Sequence, residues 1–177
     1  MLKNTRNLVF LGLMIALSVL LSRFFSFRIP LGGVDAIRIG FGGLPIILAG
    51  IYYGPLAGGI VGAIADIVGY IISPMGAYLP HFTFVSFLTG FIPGLIVSHI
   101  IKDSKNYWGL VLAIAIGQGI TTLLLIPYFL YSLFGQPFLF NFIPRLISFP
   151  LQVPIFAYFL RTLLSYLPVN YARDKTS

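Results

Sequence analysis

The sequence predicts an all-α polytopic membrane protein: a single membrane domain over 1–177, built as a bundle of six transmembrane helices with short loops. Two observations predict it. Of 177 residues, 58% are hydrophobic and only 8% charged, against about 25% charged in a soluble domain. The charged residues also leave long gaps, because Asn7–Ser22, Ile39–Ala65, Ile67–Ile101, Asn106–Pro144 and Leu146–Leu160 contain none, and about 20 apolar residues cross a bilayer. A water-soluble enzyme is excluded, and the chain is too short for a separate soluble domain beside six spans.

Each helix follows from its apolar length and the breakers around it. The first, about 6–25, holds Leu8–Leu21 behind Lys3 and Arg6. A signal peptide opens the same way, but the bulky Ser22-Arg23-Phe24-Phe25 offers no small-residue cleavage site, so the segment is kept as a helix. Residues 26–37 read as a loop around Arg28-Ile29-Pro30-Leu31-Gly32-Gly33, with Asp35 in it. The second helix, about 38–53, breaks at Gly54-Pro55, since proline supplies no amide hydrogen and disfavours helix in the residue before it. The third follows at once over 55–72. A turn-rich stretch, Ser73–Pro80, precedes the fourth at 81–101, and the polar Lys102–Asn106 precedes the fifth at 107–132. Gly135 and Pro137 separate it from the sixth, 140–166. Pro93, Pro127, Pro150 and Pro154 fall inside helices and read as kinks, because neighbouring helices can satisfy the freed carbonyls.

Lys and Arg gather in the cytoplasmic loops of membrane proteins. With the N-terminus inside, that side holds Lys3, Arg6, Lys102, Lys105, Arg161, Arg173 and Lys175, against Arg23, Arg28, Arg38 and Arg145 outside. Both termini are therefore expected in the cytoplasm.

What is missing narrows the chemistry. All four acidic residues are Asp, there is no cysteine, and the only histidines are His81 and His99. That leaves no HExxH, no thiolate metal site and no paired glutamates. No lysine follows the glycine of a P-loop, and no serine sits in a GxSxG turn. No catalytic residue, metal or cofactor is expected, and no nucleic-acid partner.

The outer side keeps four arginines against Asp35, an excess that calls for an anionic counter-ion. Snorkelling toward headgroups is the plainer reading of Arg23 and Arg28. Arg38 and Arg145, which open the second and sixth predicted helices, are stronger candidates for ligand contact, because the guanidinium fork matches a carboxylate bidentately. Asp66 is the only acid inside a predicted span, roughly 16 Å along the third helix from Pro55, and an ionisable group at that depth is a candidate site. The alternatives for it are a salt bridge to an arginine or a bond tying two helices. Gly62 and Tyr70, four residues before and after, share its face.

Small residues at i, i+4 mark close helix contacts in lipid. In the third helix Gly58 with Gly62, Gly59 with Ala63 and Ala65 with Gly69 fit internal packing; in the first, Gly12 with Ala16 could equally be reserved for another membrane protein. Among the outer aromatics, many fit an interfacial belt, but Tyr78 and Phe82 flank Pro80-His81 and could stack on a flat ring. His81 reads first as a structural interface residue. The residues alone thus describe capture, from outside, of an anionic, partly planar small molecule, without an energy source in the chain.

The run Arg38-Ile39-Gly40-Phe41-Gly42-Gly43-Leu44-Pro45-Ile46, then Gly50–Gly59, Gly62–Tyr70 and Pro74–Phe82, resembles the substrate-binding S components of energy-coupling factor (ECF) transporters, folate family. The similarity is strongest over about 38–94 and continues in Asn141–Arg145. It implies a vitamin binder of six spans in a bacterial cell membrane, docking onto a transmembrane coupling subunit and two ATP-binding subunits, which would supply the missing motor. The family presents an Ala-xxx-Ala face on its first helix to the coupling subunit; here the pair is Gly12 and Ala16, a departure at the first position. The implied ligand is folate or a related anionic vitamin. Asp66 would accept from the pterin amino and ring N–H groups, Tyr78 and Phe82 would stack, and Arg28, Arg38 or Arg145 would hold the glutamate carboxylates. Tyr70, His81 and Asn141 complete the implied site, and 27–34 would form a lid hinged at Gly32-Gly33. An S component for another vitamin such as pantothenate, and a membrane scaffold without a ligand, are the competing readings.

Overall fold

A computed structural model describes residues 5–24, 26–31, 34–74, 78–101 and 106–167, with the backbone alone over 26–31 and 34–39. Helix α1 spans Thr5–Phe24. A two-stranded antiparallel hairpin follows, β1 (Ser26–Leu31) and β2 (Val34–Gly40). Then come α2 (Gly43–Tyr53), α3 (Pro55–Ile72), α4 (Pro80–Ile96), α5 (Tyr107–Gln118), α6 (Ile126–Phe134) and α7 (Phe138–Tyr166). A π-helical turn, Val97–Ile101, extends α4, and another, Gly119–Leu125, joins α5 to α6 into one rod. Five helical segments are long and apolar enough to cross a membrane: Thr5–Phe24, Pro55–Ile72, Pro80–Ile101, Tyr107–Phe134 and Phe138–Tyr166. With α2 they make six rods.

Two sequence expectations need correction. Residues 26–31 and 34–40, read as loop and helix start, pair as antiparallel strands, and the second helix starts at Gly43, not near 38. The β-branched run Val34, Ile37 and Ile39 suits a strand, and Gly40, Gly42 and Gly43 delay the helix. Shortened to 11 residues, α2 is roughly 16 Å long, about half a bilayer. It survives because it is buried all round: Leu44, Pro45, Ile46, Ile47, Leu48, Ala49, Gly50 and Ile51 are inside. A helix apolar on every face belongs in the interior. Arg38 accordingly lies on β2 and Arg145 two turns inside α7; neither opens a helix. Gly32 and Gly33 lie outside the described residues.

The seam between α2, α3 and α4 is made of glycine. A Cβ at Gly94 would stand 2.6 Å from the Gly50 carbonyl oxygen, one at Gly90 would meet the Gly58 backbone, and one at Gly62 the Ser86 carbonyl. The small residues of α3 therefore pack internally, bringing backbones together as such faces do in lipid. Gly54 turns the chain from α2 into α3 at φ 102°, ψ 167°, a region open essentially to glycine. On the other side Leu110, Ala113 and Ile114 of α5 meet Phe156, Ala157 and Leu160 of α7, all fully buried.

Proline positions coincide with the π turns. Pro93 precedes the Val97–Ile101 turn, and Pro127 follows the Gly119–Leu125 turn, where Ile126 donates back to Thr121. Wider turns absorb the amide hydrogen that proline lacks.

Candidate functional site

One end of the bundle, on the hairpin side, encloses a cavity of about 600 Å³. Its walls come from the end of α1 (Ser18, Ser22, Arg23), the link into α2 (Gly40, Gly42, Gly43), and one face of α3 (Gly62, Ala65, Asp66, Gly69, Tyr70). The start of α4 adds Phe82, Val85, Ser86 and Thr89, with Tyr78 and Leu79 before it. Gln118, Thr122, Ile126, Leu130 and Phe134 follow the α5–α6 rod, and Gln152 and Phe156 belong to α7. Spacings of three and four on α3 are what turn its five residues to one side.

Asp66 is half-buried in this wall. The Thr83 hydroxyl donates to Oδ2 of Asp66 at 2.7 Å, and the Tyr78 hydroxyl lies 2.8 Å from the Thr83 oxygen. Thr83 has one hydrogen to give, so Tyr78 is the donor and the relay runs Tyr78 to Thr83 to Asp66. The bond ties α3 to α4, as one sequence alternative held. No ion pair to Asp66 forms among the described residues, and Oδ1 has no hydrogen-bond partner among them. The carboxylate is therefore aimed by one neighbour and left with acceptor capacity toward the cavity.

Tyr70 and Tyr78 rest ring against ring, centroids 5.2 Å apart at 56°. Together with Phe82 they form an aromatic edge beside Asp66.

The other expected residues stand differently. Arg28 and Arg38 are register partners across the hairpin; Arg38 precedes the cavity-lining Gly40 by two residues, and β2 packs on α7. Gln152 Nε2 donates to the Gly40 carbonyl at 3.3 Å, pinning that junction. Arg145 is half-buried, has a partner of its own, and does not line the cavity. Nor do His81, exposed with its ring 5.0 Å from Phe129, or Asn141, whose amide donates to Gln136 at 3.1 Å. Gly12 and Ala16 are exposed, and nothing approaches within 4 Å of where a Cβ on Gly12 would be.

Sequence reasoning missed several lining residues. Arg23 was read as snorkelling, yet its guanidinium turns inward, donates to the Gly69 carbonyl and lines the cavity. Gly69 leaves the room: a Cβ there would come 3.4 Å from Arg23 Nη2. Gln118 and Gln152 also line it. Their signal was present, since each interrupts a charge-free apolar run with an amide that needs a partner in a membrane.

The family described as "ECF-type riboflavin transporter, S component" matches residues 2–164. Among curated relatives, the folate transporter FolT of Clostridium novyi (strain NT) is 33% identical over 155 residues, 88% of this chain and 86% of that one. FolT of Leuconostoc mesenteroides subsp. mesenteroides is 31% identical over 167 residues, covering 89% and 85%. A crystal structure of FolT bound with folic acid superposes with a TM-score of 0.75 at 30% identity, covering 90% of this chain and 97% of the other. Apolar spans, a cavity at one end that holds a carboxylate and a guanidinium among apolar walls, and matches along nearly the whole length agree: the chain is a multi-pass membrane protein and belongs to the S components of ECF transporters.

Proposed function

We propose that this chain captures folate at the outer face of the membrane and hands it to an ATP-driven ECF transporter. The observation that carries the reading is Asp66, a carboxylate aimed by Thr83, without an ion-pair partner among the described residues, in the wall of a cavity of about 600 Å³. Small-molecule sites run to about 300–1,000 Å³. A carboxylate only accepts, and a pterin ring offers it two adjacent donors, the 2-amino group and the neighbouring ring N–H. The riboflavin ring edge offers one N–H between two carbonyls, which an aspartate would repel. Tyr70, Tyr78 and Phe82 supply the flat apolar surface for such a ring. The likeness to a folic-acid-bound FolT supports the same choice.

The remaining roles follow by chemistry. Arg28, Arg38 or Arg145 holds the glutamate carboxylates where they extend beyond the cavity walls, and His81 and Asn141 stand outside those walls. The open Gly12–Ala16 face of α1 meets the coupling subunit, and two ATP-binding subunits provide the energy; the chain performs no catalysis itself. Both termini lie in the cytoplasm, as the Lys and Arg distribution requires.

Isothermal titration of the purified protein with folate, riboflavin and pantothenate tests the substrate. Heat on folate alone is expected. Saturable riboflavin binding with folate silent overturns the reading.

A further inference from the structure

Gln118 is 4% exposed, yet its side chain forms no hydrogen bond with any described residue and faces the cavity. Of the other buried polar side chains among the described residues, Ser18 donates to Gly42, Thr121 to Gly117, and Ser148 to Pro144; Asn7, in the first turn of α1 and away from the cavity, shares with Gln118 the lack of a partner. A buried amide left unpaired is costly. Its position is deliberate in the fold, because Gln118 ends α5 where the π turn begins, and single π turns often mark functional positions. Thr122, one turn further, lines the same wall.

We propose that Gln118 is a ligand-contacting residue whose amide NH₂ donates to the ring carbonyl of the bound pterin, on the edge next to the one Asp66 reads. This rests on the pterin reading of the cavity. Helix α4 packs between α3 and α5, so Asp66 and Gln118 enter the cavity from opposite flanks of α4. Between them they present an acceptor-only group and a group that both donates and accepts. A pterin carries the complement in sequence: two donors, then the 4-oxo acceptor. A ring with an amine in place of that carbonyl presents a donor, which the Gln118 amide meets by turning its oxygen toward it, while the neighbouring ring nitrogen carries no hydrogen for Asp66.

The experiment uses the full chain in detergent and three variants, Gln118→Leu, Gln118→Glu and Gln152→Leu. Each is titrated with folic acid, with its 4-amino counterpart and with p-aminobenzoyl-glutamate, and melted without ligand. Gln118→Leu is expected to weaken folic acid by about tenfold or more, to leave p-aminobenzoyl-glutamate unchanged, and to melt no lower than the parent. Gln118→Glu, an acceptor-only group where an amide that could donate stood, is expected to weaken folic acid more than its 4-amino counterpart, each relative to the parent. Gln152→Leu, whose amide already serves Gly40, is expected to weaken all three alike. Equal loss of folic acid and its 4-amino counterpart in both Gln118 variants, no loss, or a lower melting temperature of the free Gln118→Leu protein overturns the proposal. A parent protein that binds neither pteridine overturns the pterin reading first, and this assignment with it.

Discussion

Thr83 holds the carboxylate of Asp66 across the α3–α4 interface at 2.7 Å, and is itself held by Tyr78 at 2.8 Å. The relay engages one oxygen of Asp66 and leaves the other without a hydrogen-bond partner among the described residues, on a side chain that lines the cavity. Asp66→Asn replaces an acceptor with a donor facing the donors of a pterin. The expected outcome is a loss of about 2 kcal/mol, roughly thirtyfold in Kd for folate, read by titration. Thr83→Val keeps the shape and removes the hydroxyl, and is expected to cost about 1 kcal/mol; Thr83→Ser should retain parental affinity.

The glycine seam gives a stability prediction. Gly90→Ala places a methyl on the Gly58 backbone and forces α3 from α4; the expected destabilisation is about 1–3 kcal/mol, visible as a lower melting temperature. Gly54→Ala should cost a similar amount, because φ 102° is strained for any side chain. Gly12→Ala, with open space around it, should melt like the parent.

The exposed face of α1 separates binding from transport. Gly12→Leu is expected to leave folate affinity and melting temperature unchanged in purified protein, and to reduce folate uptake in cells that carry the coupling module. Lost affinity in the isolated protein would contradict the assignment of that face.

Because the chain has no native cysteine, orientation can be read by single-cysteine labelling. Asn141→Cys should react with an impermeant maleimide from outside, and Ser98→Cys, at the opposite end of α4's rod, only after permeabilisation.

Cross-strand pairing of Arg28 with Arg38 puts two like charges at one register position, an arrangement that disfavours the free hairpin. Replacing either by alanine should weaken folate severalfold and flatten the dependence of Kd on ionic strength.

Much of the architecture was legible because lipid admits few solutions: an apolar run must be a helix, and Gly54-Pro55 must end one. The hairpin was not, since residues 26–40 mix Pro, Gly and charge as an outer loop does, and Pro30 and the irregular register beside it break the alternation that marks a strand. Within the site, Asp66, Tyr70 and Gly62 were legible from helical spacing alone, and Tyr78 and Phe82 from their place beside a turn. Arg23 was not, because whether a long side chain at a helix end reaches lipid or protein is set by the neighbour, here the gap left by Gly69. Gln118 and Gln152 left a fainter signal, because an uncharged amide barely disturbs the hydropathy of a span and shows only as an interruption of an apolar run.

Where α2, α3 and α4 meet through glycine, backbone lies against backbone at Gly50, Gly58, Gly90 and Gly94, and the Ile46 and Phe87 side chains close the rest of the seam. Helices held this near to one another have little slack, so a change in the volume available to a guest is expected to fall on α1, the hairpin and the α5–α7 side.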